Sequence, residues 1–152
     1  MEINVESAKA RAVQLLNETR NCAYSSFVAL AEALGIELDE KSKNMAIGFA
    51  GGISGSGHIC GALWGSIAIT SLYTMERLGD RSEIENPLER YMPIYAKCAE
   101  VFKKFVEANG SPNCGDLNPN LDLISEEQRK KCMEIVSKAV EITLLALQYR
   151  KA

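Results

Sequence analysis

The residues best suited to chemistry in this chain are its five cysteines and its one histidine. The cysteines stand far apart, at Cys22, Cys60, Cys98, Cys114 and Cys132, with no Cys-x-x-Cys pair. A zinc ribbon, knuckle or ferredoxin-type run is therefore not written into the spacing, and a shared site would have to be assembled by the fold. Five is an odd count, and "MEINVESAKARAVQLL" at the N-terminus lacks the basic stretch and apolar core of a secretory signal. Both point to the reducing cytoplasm, where thiols pack as small hydrophobes, bind metal or do redox chemistry rather than form structural disulfides.

Cys60 sits within "GGISGSGHICGALWG", Gly51 to Gly65, which holds six of the chain's eleven glycines. A glycine loop feeding a helix is the general form of an anion cradle. The phosphate motifs are nevertheless absent. No Gly-Lys-Ser/Thr occurs, no lysine lies between Lys43 and Lys97, and Cys60 stands where the third glycine of Gly-x-Gly-x-x-Gly would follow Gly55 and Gly57. The helix start matters more for sulfur. Cys60 falls in the first turn of a helix beginning near Ile59, and Cys22 directly follows Asn21, a natural cap. Unpaired N–H groups at a helix start stabilise a thiolate, so the sequence predicts lowered pKa values at both; packing as buried hydrophobes is the alternative.

The other candidates are weaker. His58, two residues before Cys60, could serve as a base or ligand, or simply be a solvated loop residue. Cys114 lies among turn residues in "NCGDL", which predicts an exposed, reactive thiol or a ligand. Cys132 shares a helical stripe with Val136 and Ala139, and Cys98 sits among Tyr95, Phe102 and Phe105; both read as core.

These residues must be positioned by helices, because the apolar pattern is helical almost throughout. Ala8, Ala12, Leu15 and Leu16 make the inner face of a first helix over Val5 to Thr19. Asn21 caps a second with Ala23, Phe27, Leu30, Ala31 and Leu34 inward and Gly35 as its stop; Asp39 caps a short third through Met45. The fourth runs from about Ile59 to Leu78, ended by Gly79. Asn86-Pro87 starts a fifth, with Leu88, Tyr91, Met92, Tyr95, Cys98, Phe102 and Phe105 on one stripe, ending near Gly110. "SEEQ", Ser125 to Gln128, reads as a capping box opening a last helix with Val136, Ala139, Val140, Thr143 and Leu147 inward.

"MAIGFA", Met45 to Ala50, has strand character but no partner strand. Gly57, Gly61 and Gly65, followed by Ile69, form a flat stripe on which another helix could lie close. The expected fold is all-α, a single-domain bundle of five to six helices spanning residues 1–152, with a glycine-rich loop before the central helix.

Composition sets the outer limits. The chain has 152 residues, 47% hydrophobic and 24% charged, with net charge −3 and no basic run interleaved with aromatics. That argues against a nucleic-acid partner. The uncharged run Ile59 to Met75 is shorter than a membrane span, so a buried core helix is expected and no membrane insertion.

Taken together, the cysteine segments resemble a family of redox proteins named for its C_GCAxxG_C_C pattern. "CGALWG", Cys60 to Gly65, fits its Cys-Gly-Ala-x-x-Gly signature. "NCAYSSFVALAEALGI" is similar to its first cysteine helix, "GFAGGISGSGHICGALWG" to its glycine-rich centre, "GSPNCGDL" to its third cysteine segment and "KCMEIVSKAVEITLLAL" to its last. The resemblance covers Asn21 to about Leu147. It implies that Cys22, Cys60, Cys114 and Cys132 act as one redox-active set, with Cys98 outside it, and it associates the protein with a membrane transporter.

Three functions compete. The first is thiol–disulfide chemistry, as an oxidoreductase with a redox partner, in which one cysteine attacks a disulfide and a second resolves the product. The second is a zinc or iron–sulfur site with Cys22, Cys60, Cys114 and Cys132 as its four thiolate ligands. The third is a non-catalytic helical partner of a membrane transporter, with the glycine stripe as a packing surface. A homo-oligomer is compatible with each.

Overall fold

The computed structural model describes residues 2–120 and 125–148. It is all-α: seven helices and no strand among the described residues, with α1 Val5–Thr19, α2 Cys22–Leu34, α3 Glu40–Met45, α4 Gly61–Leu78, α5 Pro87–Asn109, α6 Cys114–Leu117 and α7 Glu126–Gln148. Five are long and two short. Four of the five long helices begin where a short polar side chain serves a free N–H group of the first turn; α4, which follows Cys60, has no such cap. Asn4, Asn21, Asn86 and Ser125 accept from the amides of Ser7, Tyr24, Leu88 and Gln128 at 2.8–3.2 Å. Asp39 does the same for α3 through Ser42 at 2.8 Å. Gly35 and Gly110 close α2 and α5 in the left-handed conformation.

α2, α4 and α7 form the centre, flanked by α1 against α2 and α7 and by α5 against α4 and α7. The expected inner faces of α1, α2 and α7 are all buried, from Ala8 to Leu16, Ala23 to Leu34 and Val136 to Leu147. Three buried hydroxyls are satisfied along their own helices: Ser66, Thr70 and Thr143 each donate to the carbonyl four residues back at 2.7–2.9 Å. No helix among the described residues is long and apolar enough to cross a membrane.

The glycine stripe works over two of its three positions. Gly57 lies outside the helix with a positive φ, whereas Gly61 and Gly65 face α2. A Cβ on Gly61 would sit 2.5 Å from Cys22 Sγ and 3.0 Å from the Ala23 nitrogen; one on Gly65 would collide with Ser26 Oγ and lie 2.8 Å from the Phe27 nitrogen. The two helix backbones are thus in direct contact at the level of the first cysteine.

The expected inner stripe of α5 is only partly inside. Val101 and Phe105 are buried, but Leu88, Met92, Tyr95 and Phe102 are exposed. Their stripe is turned away from α4 and α7. "MAIGFA" forms a tight 3₁₀ turn at Ile47–Phe49 and not a strand. From there Gly51, Gly52, Ile53 and Ser54 all take positive φ, from 51° to 69°, a left-handed turn that reverses the chain ahead of Cys60.

Candidate functional site

Four segments distant in sequence bring the four cysteines together. Cys22 is the first residue of α2 and Cys60 the N-cap of α4. Cys114 opens the single turn of α6, and Cys132 lies in the second turn of α7. With Gly51, Ala62, Asn118, Ile135 and Val136 they line one small cavity of about 20 Å³, room for roughly one water-sized atom.

Backbone pairing joins the two central segments. Ile59 and Asn113 form an isolated antiparallel bridge. Cys60 N–H donates to the Pro112 carbonyl at 2.8 Å, Cys114 N–H to His58 O at 2.7 Å, and Gly115 N–H to Gly57 O at 2.8 Å. The glycine loop is held in turn by His58 N–H to Gly52 O at 3.0 Å and Gly57 N–H to Gly51 O at 3.2 Å. Gly52 is required here, since a Cβ on it would lie 2.6 Å from the His58 backbone and 2.7 Å from Cys114 Cβ. Asn21, the cap of α2, ties its side-chain amide to Ile47 O at 2.9 Å, fixing Cys22 against the same turn.

Amide side chains complete the cluster. Asn118 donates to Cys114 Sγ at 3.6 Å and Gln128 to Cys132 Sγ at 3.7 Å. Gln128 also donates to Asn118 Oδ1, joining the two. Gln128 was legible only as the far end of a capping box. Its backbone does meet Ser125, but its side chain turns to sulfur. Asn118 carried no signal beyond the turn-forming character of its surroundings.

Several expectations are corrected. Cys60 caps α4 and does not lie within its first turn, and no side-chain hydrogen bond is made there. Burial first, and then a neighbouring Cys22 thiolate, push its thiol up to about 12; the Leu63 and Ala62 N–H groups oppose this without prevailing. Burial likewise raises the Cys22 thiol against the Gly51 N–H. Burial and then Cys22 raise that of Cys132, opposed by the Gln128 amide. The activated thiolates expected at two helix starts are therefore protonated thiols, because dry surroundings and neighbouring sulfur outweigh the helix dipole. Cys114, expected to be exposed in a loop, is in a helical turn and 4% exposed.

The remaining candidates lie apart. His58 is exposed and contributes its backbone. Cys98, half-buried on α5, meets Ser71 Oγ at 3.4 Å and the Ile67 carbonyl at 3.8 Å, outside the cluster. A metal site needs thiolates converging on one point at about 2.3 Å. Among the described residues no three His, Cys, Asp or Glu side chains are arranged to hold an ion. The four thiols as they stand do not form a metal cage.

A second cavity, of about 70 Å³, opens beside the first and shares Cys22, Gly51 and Cys132 with it. Cys22 and Cys132 are thus the pair met from outside, while Cys60 and Cys114 lie behind them.

The chain matches a family described as "Putative redox-active protein (C_GCAxxG_C_C)" over residues 20–145. It is 77% identical over 146 residues to a protein of Archaeoglobus fulgidus named only as an uncharacterized protein, covering 96% of this chain and 97% of that one. No solved structure matches it.

Proposed function

Starting from the chain's membership of the C_GCAxxG_C_C redox-active family, we propose that it carries out thiol–disulfide exchange at Cys132 and Cys22, with Cys60 and Cys114 as a second, inner pair. The observation that carries this is the convergence of four protein segments on one small cavity, with two of its four cysteines also lining an outer cavity.

The steps balance as follows. The Cys132 thiol loses its proton and attacks one sulfur of a disulfide substrate, forming a mixed disulfide and releasing the first substrate thiol. The Cys22 thiol loses its proton and attacks the Cys132 sulfur, closing the Cys22–Cys132 bond and releasing the second substrate thiol. Two electrons pass to the substrate, and the two protons lost by the cysteines go to the released thiols. Cys132 suits the first attack because it lines the outer cavity and the Gln128 amide favours its thiolate. Cys22 suits resolution because it lines both cavities with Cys132.

Intact mass and peptide mapping of fully reduced protein treated with a small disulfide test this. The expected product has lost two protons and contains a Cys22–Cys132 linkage. An intact mass unchanged under conditions that oxidise dithiothreitol would overturn it. Stoichiometric zinc or iron after anaerobic purification would assign the cysteines to ligation instead.

A further inference from the structure

We propose that the outer cavity is a binding site for small anionic disulfides or thiols, held by Arg20 and Arg129. This rests on the exchange chemistry above and names its substrate class. Arg20, at the end of α1, and Arg129, in the first turn of α7, line the cavity together with Asn17, Gln128, Cys22 and Cys132. No carboxylate among the described residues lines it, in a chain with 20 acidic residues. Among the described residues neither guanidinium is paired with a carboxylate; Arg129 bonds Asn17 Oδ1 at 3.2 Å.

Arg20 also occupies a left-handed position, φ 57°, as the C-cap of α1. The corresponding ends of α2 and α5 carry glycine. A side chain there is conformationally costly, so a cation is placed at the mouth where glycine would be easier to accommodate. Guanidinium groups bind carboxylates through paired N–H donors, and a carboxylate held at the rim directs the sulfur of its carrier toward Cys132 at the inner end.

Rates of oxidation of the reduced protein by three disulfides test the assignment: dithiobis-nitrobenzoate, which is anionic, dithiodipyridine, which is neutral, and cystamine, which is cationic. In each, two protein thiols become one disulfide and the reagent leaves as two thiols. Each rate is divided by that of a small dithiol with the same reagent. The anionic reagent is expected to be favoured over the cationic one by about tenfold or more at low salt. Arg20→Gln/Arg129→Gln should bring the ratio close to one while leaving the neutral reagent's rate unchanged. A ratio unaffected by the double substitution overturns the anion site and leaves exchange standing. Failure of all three reagents to oxidise the cluster overturns the exchange reading itself.

A separate observation concerns α5. Its exposed apolar residues Leu88, Met92, Tyr95, Ala99 and Phe102, followed by half-buried Val106, recur at alternating intervals of four and three. That is the spacing of a coiled-coil seam, and Leu88 and Tyr95 remain 57% and 55% exposed. Glu89 and Lys103 stand on one edge of the stripe at its opposite ends, so a copy running antiparallel brings Glu89 of each against Lys103 of the other. The same register sets the small Ala99 against Tyr95. From this charge and size complementarity we infer that a second copy of the chain covers this face in an antiparallel pair.

Light scattering and sedimentation from about 1 to 100 µM should show a dimer, with a micromolar or tighter Kd. Met92→Glu and Phe102→Glu should each give a folded monomer by circular dichroism. Glu89→Lys or Lys103→Glu alone should weaken the dimer, and the two together should restore it. A monomer throughout, or a dimer indifferent to Met92→Glu, refutes the pairing; a dimer indifferent to the single charge reversals refutes its antiparallel orientation.

Discussion

Replacing Gly65 by alanine puts the close approach of α2 and α4 to the test. In an isolated helix the change stabilises by about 1 kcal/mol, because glycine is the poorer helix former. Here the new methyl would lie 2.8 Å from the Phe27 nitrogen and 3.1 Å from the Ala23 carbonyl oxygen, and would collide with Ser26 Oγ. The hydroxyl could turn away, but the other two atoms belong to the backbone of α2 and cannot move without the helix. Overpacking of this kind costs about 1–3 kcal/mol, and the two backbone contacts argue for the upper part of that range. Set against the propensity gain, the expected net effect is a loss of about 1–2 kcal/mol in urea unfolding of the reduced protein, with the m-value unchanged. Ser26→Ala in the same background should recover only part, since the Phe27 amide remains in the way. Gly65→Ala stabilising the protein by about 1 kcal/mol would refute the reasoning, because it would mean that α2 and α4 are not in backbone contact.

Four further outcomes follow from the site. Cys60, raised from an ordinary 9.0 to about 12, contributes stability that is fully present below pH 9 and lost as pH rises toward 12; at about 1.4 kcal/mol per unit this amounts to about 4 kcal/mol. Reduced protein should therefore lose stability steeply over that window in pH-dependent denaturation, and Cys60→Ala should flatten the slope. Alkylation of the reduced, folded protein followed by peptide mapping should find Cys132 and Cys98 modified first and the buried Cys60 and Cys114 last. Ile53→Gly, which frees a branched side chain from φ 67°, should raise the unfolding free energy by about 1 kcal/mol in the same urea assay. If Cys22 and Cys132 exchange with disulfides as protonated thiols, the midpoint potential should fall by about 59 mV per pH unit up to about pH 9; flattening near pH 6–7 would show a thiolate already present there.

The helices were legible because their signals are local. Asn21 before Cys22, Asp39 before Glu40, Asn86 before Pro87 and the closing glycines mark ends through side chains adjacent in sequence. Inner faces repeat every three or four residues wherever a helix has one buried side, as in α1 and α7. That pattern misled on α5, whose apolar residues fall on two adjacent faces. One face packs through Val101 and Phe105 and the other is left exposed, and periodicity alone does not say which is which. The grouping of the four cysteines came from resemblance to a family, since their spacing carries no ligand pattern. What lay beyond local reading was depth. A helix start is visible in sequence, but whether it meets water or the inside of a bundle depends on segments elsewhere in the chain. Around Cys60 those segments are the Pro112 to Cys114 strand-like pairing, α2 against Gly61, and the side of α7 that carries Cys132. Together they remove water from the thiol, and the energetic order then reverses. The dipole of one helix end offers a fraction of a charge, whereas a buried thiolate gives up its hydration and is repelled by any neighbouring sulfur that is also ionised. Neutral thiols are the form this cavity tolerates, and a disulfide is neutral too. Oxidation that releases both protons therefore lets the cluster change state without burying charge in either one.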